Sequence, residues 1–409
     1  MTASDTVTPH KPRLKFIDMA RSLAILLMLE GHFTGAALGE EYRSDEFLLY
    51  SIWHNIHGLT SPLFFTVTGV IFVYLLAGNQ TVSYWQNFRV RKGFKRSLEL
   101  LFWGYLIQLN LWSIGKSIYY GSEFHLDWFF AFHVLQSIGV GIAFLLLIYG
   151  VYKWINRGGL HWYYLIAALL LFWGYSEMKA FKEWQEGLVA SGIQANPNYW
   201  PIGFPKIVQN MFYGQFSDFS FMRYSGYTIL GGMIGSIIRN YQHRSREWWF
   251  GTGFIFVGIL IDVFIQPIFR TFDNFTEYIG LTNHGDYELN ATSFIRFGQV
   301  LMVLGIFMLI DAYVDVKAKL YLKIGQNTLP IYIIHVIILY GGVFGFGLKP
   351  ELFDENMNPW ISAGISVLAI VFFSVMVYYI EHLEAFYNRI IARITFKSDS
   401  NHASTGDHL

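Results

Sequence analysis

The chain contains no cysteine. Disulfides, thiolate metal sites and a cysteine nucleophile are therefore excluded. Charge is scarce as well: 14% of residues are Asp, Glu, Lys or Arg, where soluble chains carry about 25%. Water demands a charged surface and lipid does not, so this deficit points to a chain that lives in a bilayer. Net charge is also missing, with 29 basic residues against 29 acidic. That balance removes the global basic field that nucleic-acid binding uses. What is abundant is apolar: 54% of the 409 residues are hydrophobic and 19% are aromatic.

Apolar stretches of about 20 residues, the length that crosses a bilayer, recur along the chain. They are Phe16–Leu38, His57–Ala77, Phe94–Leu111, Trp128–Tyr149, Leu160–Tyr175, Phe221–Ile238, Trp248–Ile268, Phe294–Tyr313, Ile324–Phe346 and Trp360–Ile380. The first run continues past Leu29 without a small-residue cleavage pattern, so it reads as a retained helix. Basic residues cluster at alternate connections: Lys11, Arg13 and Lys15; Arg89 to Arg96; Lys153 and Arg157; Arg239, Arg244 and Arg246; Lys317, Lys319 and Lys323; Arg389, Arg393 and Lys397. The positive-inside rule then places both termini in the cytoplasm, which requires an even number of spans. The expected fold is all-α: a polytopic integral membrane protein of about ten transmembrane helices. Its membrane domain covers 16–383, after a cytoplasmic segment 1–15 and before a polar cytoplasmic tail, 384–409, expected to be disordered from Ser398. In a bacterium the address is the plasma or inner membrane. A homo-oligomer is compatible with this reading.

Two outer connections are long. Met178–Ser220 carries Trp184, Tyr199, Trp200, Pro201 and Pro205, and Arg270–Ser293 carries Asp273, Glu277, Asp286 and Glu288. Connections of this length more often bind than merely span a gap. Aromatic and acidic side chains suit a sugar, although an interfacial aromatic belt accounts for the aromatics equally well.

Ionisable groups inside a span cost about 2.5–3.5 kcal/mol each on insertion scales, so they need partners and usually have work. The first span holds Asp18, Arg21, Glu30 and His32. Arg21 and His32, eleven positions apart, fall within about 20° of one helix face and about 16 Å apart along it. Asp18 is close enough to pair with Arg21, while Glu30 falls on the opposite face and outside their pocket. A guanidinium at the inner mouth can neutralise phosphate. An imidazole at the outer mouth can take a proton from an acceptor. The competing reading is a snorkelling arginine and a histidine that caps a core network. His54, His57 and His133 gather at the depth of His32. His54 and His57, at i and i+3, also have metal-ligand spacing, but no His-Glu-x-x-His motif accompanies them and no metal is expected. Asn327 and His335 form a further polar pair in the ninth span. Asp262, Gln266 and Gln299 read as helix bridges.

The segment from Arg13 through Arg21 to Glu30-Gly-His-Phe resembles the opening of the transmembrane acyltransferase superfamily. The Arg21-x10-His32 spacing is similar to that of the acyltransferase-3 family. Other landmarks resemble bacterial relatives of heparan-α-glucosaminide N-acetyltransferase. These are the stretch from His57 to Gly69, the run opening at Phe94, His133-Val-Leu-Gln-Ser-Ile-Gly139, and the run from Gly325 to His335. The resemblance implies an acyltransferase domain of about ten or eleven helices, with acetyl-CoA or another acyl-CoA as donor. Its acceptor would be a sugar or glycolipid on the far face. Arg21 and His32 match the acyltransferase-3 pair. In the heparan-type branch the base comes from the segment before the second span, which here holds His54 and His57. The expected order of candidates for the base is His32, His57, His54. Arg21, Asp18 and Arg96 are expected to bind the donor, with His133, Asn327 and His335 completing the substrate site. Asn327 or a second histidine is the candidate oxyanion donor. O- and N-acylation, and direct and acetyl-histidine routes, remain open at this point. The alternative from another class is an exporter of a lipid-linked sugar, for which the two related halves common in transporters are not apparent.

Overall fold

The computed structural model describes residues 14–79, 81–121, 128–214, 217–279, 287–353 and 355–403. Among the described residues the fold is helical, with one isolated bridge between Leu38 and Met357. Helix α1 (Lys15–Ala37) is followed by a short α2 (Leu48–His57) and by α3 (Thr60–Leu76). Next come α4 (Phe88–Leu106), α5 (Leu111–Tyr120), α6 (Val134–Ile155), α7 (Leu160–Ala190), α8 (Lys206–Phe212) and α9 (Phe221–Asn240). The chain closes with α10 (Trp248–Tyr278), α11 (Tyr287–Tyr313), α12 (Lys319–Gln326), α13 (Thr328–Tyr340) and α14 (Pro359–Ala403). Five stretches are long and apolar enough to cross a membrane: Leu48–Asn79, Val134–Ile155, Trp248–Phe275, Asn290–Tyr313 and Pro359–His382. The α12–α13 pair, bent by 76°, is a sixth if it counts as one span. The chain is an integral membrane protein on this ground.

Several expected boundaries move, each for a local reason. The helix expected from Phe94 starts at Phe88, because the Asn87 side chain accepts from Arg89 N at 3.0 Å and caps it there. Residues 128–133 are not helical, and α6 begins at Val134. The helices expected as the fifth and seventh spans run on into the connections read as loops, and the eighth starts early. Consequently residues 178–190, 270–278 and 287–293 are helix, and less of these two connections is irregular than expected. Asp286, and the side chain of Glu288, lie outside the described residues. The ninth span is broken. The tail expected to be irregular from Ser398 is helical to Ala403, so α14 crosses the expected domain edge at 383 without interruption. Lys11 and Arg13 lie outside the described residues.

Helix α1 sits among α3, α11, α12, α13 and α14, and its residues Ala20, Ala24 and Ile25 are fully buried. Beside it, α3 and α9 approach backbone to backbone. A Cβ at Gly69 would strike the Thr228 carbonyl, and one at Gly231 would strike that of Thr66. Small residues are what permit such contact between helices in a membrane. Helix α12 docks on α1 through Ser22. Its hydroxyl lies 2.9 Å from Asp18 O and receives Gly325 N at 2.9 Å, while Tyr321 Oη donates to Met19 O at 2.8 Å. After that anchor the chain bends at Asn327, whose side chain donates back to Lys323 O at 2.8 Å and satisfies a terminal carbonyl of α12. The bend aims α13 along the face of α1 that carries both Arg21 and His32.

Candidate active site

A cavity of about 510 Å³ opens beside α1, lined by Arg21 together with residues of α3, α4, α6 and α13. Its polar wall is strongly basic: Arg89, Lys92, Lys95 and Arg96 of α4 join Arg21, with Glu99 the acidic member. Arg96 pairs with Glu99 at 3.0 Å. The opposite wall is apolar and aromatic, with Phe64, Phe72, Leu135, Ile138 and Tyr332. Helical spacing explains the division, since Arg89, Lys92 and Arg96 lie three or four residues apart on one face of α4. Arg21 donates to Thr328 Oγ1 at 3.0 Å, tying the cavity floor to the first turn of α13. Asp18 is buried on the same turn of α1, 3.5 Å from Gln326 Nε2.

Neither His32 nor His335 lines this cavity, but Tyr332 does. The Tyr332 ring packs edge-on against His335, with centroids 5.0 Å apart, and His335 in turn lies 5.3 Å from His32. A phenol and two imidazoles therefore form one layer between the basic cavity and the far end of α1. His335 is fully buried. Its Nδ1 lies 3.3 Å from Ile331 O, and its Nε2 has no hydrogen-bond partner among the described residues. His32 is half-buried, and its Nδ1 lies 2.9 Å from Tyr340 Oη.

The other expected histidines separate. His57 packs directly against the backbone of Gly31, where a Cβ would strike its ring. It also stacks on Trp53, centroids 5.3 Å apart and planes within 2°. It is thus one residue away from His32 along α1, and its Nδ1 has no hydrogen-bond partner among the described residues. His54, one turn earlier, is exposed and lies against Tyr50. His133 precedes α6 as its N-terminal cap residue, within electrostatic reach of Asp218. The segment holding His133 is fastened to the one holding Asp218, since Phe132 N donates to Ser217 Oγ at 2.9 Å. Asn327 and His335 do not form the expected pair. Asn327 is engaged at the bend, and eight residues of helix, about 12 Å, separate them.

Glu30, read from the sequence as lying outside the pocket, proves to be one step from it. Its carboxylate accepts from Trp53 Nε1 at 2.8 Å and from Thr34 Oγ1 at 2.9 Å, holding the indole on which His57 stacks. Trp53, Thr328, Tyr332 and Tyr340 were not expected at the site. The i, i+3 spacing of Tyr332 and His335 is a signal that could have found the first of the two tyrosines. Nothing in the sequence pairs Trp53 with Glu30. Asp262 and Gln299 join α10 to α11 at 3.5 Å, as helix-bridging residues do. Among the described residues no group of three or more His, Asp or Glu side chains is gathered as a metal site.

A family model described as an acyltransferase domain matches residues 14–379. A comparison with curated proteins gives no match.

Proposed function

The chain belongs to the acyltransferase-3 family of membrane acyltransferases, and on that premise we propose that it moves an acetyl or similar acyl group from cytoplasmic acyl-CoA to a sugar or glycolipid on the outer face. The observation that carries this reading is the cavity bounded by five basic side chains and by Tyr332, with the His335 and His32 rings in tilted contact beyond it. Phosphate is best held by guanidinium and ammonium groups, which Arg21 and the basic face of α4 supply. The apolar wall suits the acyl-pantetheine arm. The likeness to the heparan-type branch rests on sequence motifs alone, as does the Arg21–His32 pairing.

The orientation that accompanies this reading has ten passes: α1, α3, α4, α6, α7, α9, α10, α11, the broken α12–α13 pair and α14. The short α2 and α5 would then lie in the outer interface, where exposed Leu48, Leu49, Ile52 and Tyr119 meet lipid. Both termini and the mouth of the basic cavity face the cytoplasm.

In the proposed reaction the acceptor hydroxyl or amine gives its proton to His32 as its oxygen or nitrogen attacks the thioester carbon. The C–S bond breaks, and the imidazolium returns the proton to the leaving CoA thiolate. Holding both reactants along one face of α1 removes most of the entropic barrier, and the base adds about 10²–10⁴-fold. His57 and Glu30 support the site from the other side of Gly31.

The test is purified protein in liposomes, given radiolabelled acetyl-CoA and a panel of glycans and glycolipids. Label should pass to an acceptor and CoA should be released in equal amount. Movement of acceptor across the bilayer without labelling would replace this reading with transport.

A further inference from the structure

The hydrogen bond on His32 Nδ1 involves a phenol, where a histidine base is more familiarly steadied by a carboxylate. Tyr340 Oη stands 2.9 Å away, and the two rings meet edge-on with centroids 5.9 Å apart. Tyr340 is the last residue of α13. The chain leaves the helix there through Gly341 and Gly342, at φ 87° and 44°, with Gly341 N returning to Ile337 O at 3.1 Å. Only glycine takes such angles without strain. The Tyr-Gly-Gly sequence thus fixes where the phenol stands.

A phenol both donates and accepts, so the direction of this bond needs a second observation. The carboxylates of Asp218 and Glu355 both lie within electrostatic reach of Tyr340. Glu355 is itself held nearby by Lys349 at 2.6 Å. A hydroxyl proton turned toward those carboxylates leaves the oxygen lone pairs facing the imidazole. The opposite polarity would place the ring proton on Nε2 and turn that nitrogen into a donor.

We propose that Tyr340 is the positioning residue of His32: its oxygen accepts the Nδ1 proton and so leaves Nε2 as the basic nitrogen. The role rests on the acyl-transfer reading above. When Nε2 takes the acceptor's proton, the Nδ1–H bond to the phenol shortens, and the phenol itself neither gains nor loses a proton. A neutral tyrosine thereby orients the imidazole without a second charge inside the membrane domain.

The experiment is nitrogen-15 NMR of the full chain in lipid nanodiscs with labelled histidine, the His32 signals being those lost in His32→Gln. The neutral His32 ring should carry its proton on Nδ1, and Tyr340→Phe should shift it toward the Nε2–H form. In the transfer assay, Tyr340→Phe should lower kcat about 10–100-fold while KM for acyl-CoA changes by less than about twofold. An Nε2–H ring in the unaltered protein overturns the proposal, as does a variant with undiminished kcat. The NMR result needs no substrate. If no acceptor is ever acylated, the reaction assignment fails while the His32–Tyr340 arrangement is still judged.

Discussion

At the scale of single residues, the two ranked histidines make different predictions. His32 has the phenol and a second imidazole around it, and His57 has an indole and the bare backbone of Gly31. His32→Ala should cost about 10²–10⁴-fold in kcat with little change in acyl-CoA binding, measured by steady-state transfer. Gly31→Ala offers an independent probe of His57. The added methyl group meets the His57 ring, so activity should fall to the level of His57→Ala if that histidine contributes. Arg21→Ala should instead raise KM for acyl-CoA about tenfold or more if, as proposed, this guanidinium of the cavity wall holds the donor's phosphate. The pairing of Arg21 and His32 was legible because helix periodicity alone puts eleven-residue neighbours on one face. Tyr340 and Trp53 were not, because their partners come from helices brought near by folding, and no periodicity relates 340 to 32 or 53 to 30.

Elements carry the close approaches. The α3–α9 seam depends on Gly69 and Gly231, and Gly231→Leu should destabilise the fold by at least about 1–3 kcal/mol, the usual cost of overpacking. Thermal unfolding in detergent, with the equivalent change at Gly253, where an added Cβ meets nothing within 4 Å, as control, reads that directly. The connection after α13 is strapped across the end of α1. Gly39 N and Met357 N each make a 2.9 Å backbone bond across it, and Arg43 donates to Gly35 O at 2.7 Å while lying 3.6 Å from Glu355. The Lys349 hydrogen bond, with its charge and that of Arg43, holds the Glu355 carboxyl below its usual 4.5. A carboxyl depressed in the folded state stabilises above its unfolded value and loses that contribution as pH falls through the folded one. Amide exchange at Met357 should therefore quicken as pH drops below 4.5, after correction for intrinsic rates, and Glu355→Gln should bring that behaviour to neutral pH. Helix existence was readable from apolar runs, whereas helix ends were not. Charged turns such as the start of α4 are helical because a cap and a packed face hold them, and hydropathy is blind to both. The break at Asn327 was hidden for a related reason, since one asparagine inside an apolar run gives no length signal.

For the whole molecule, the missing cysteines become an experimental advantage. Single cysteines can be placed without removing any native ones. Replacing exposed Ser83 or His243 should give sites that a membrane-impermeant maleimide reaches only from the cytoplasmic side, and exposed Asp45 or Asn196 sites reached only from outside. The reverse pattern would invert the proposed orientation.

The layer formed by Tyr332, His335 and His32 has one more consequence. A basic cavity that ran clear through the bundle would be a pore for anions, and a membrane under voltage would discharge through it. Here Tyr332, His335 and His32, in edge-on and tilted contact, stand between the basic cavity and the far end of α1, so on the proposed reading the bilayer stays insulated at rest. On that reading only a slender acyl arm has to part the rings, while the bulky nucleotide stays at the basic wall.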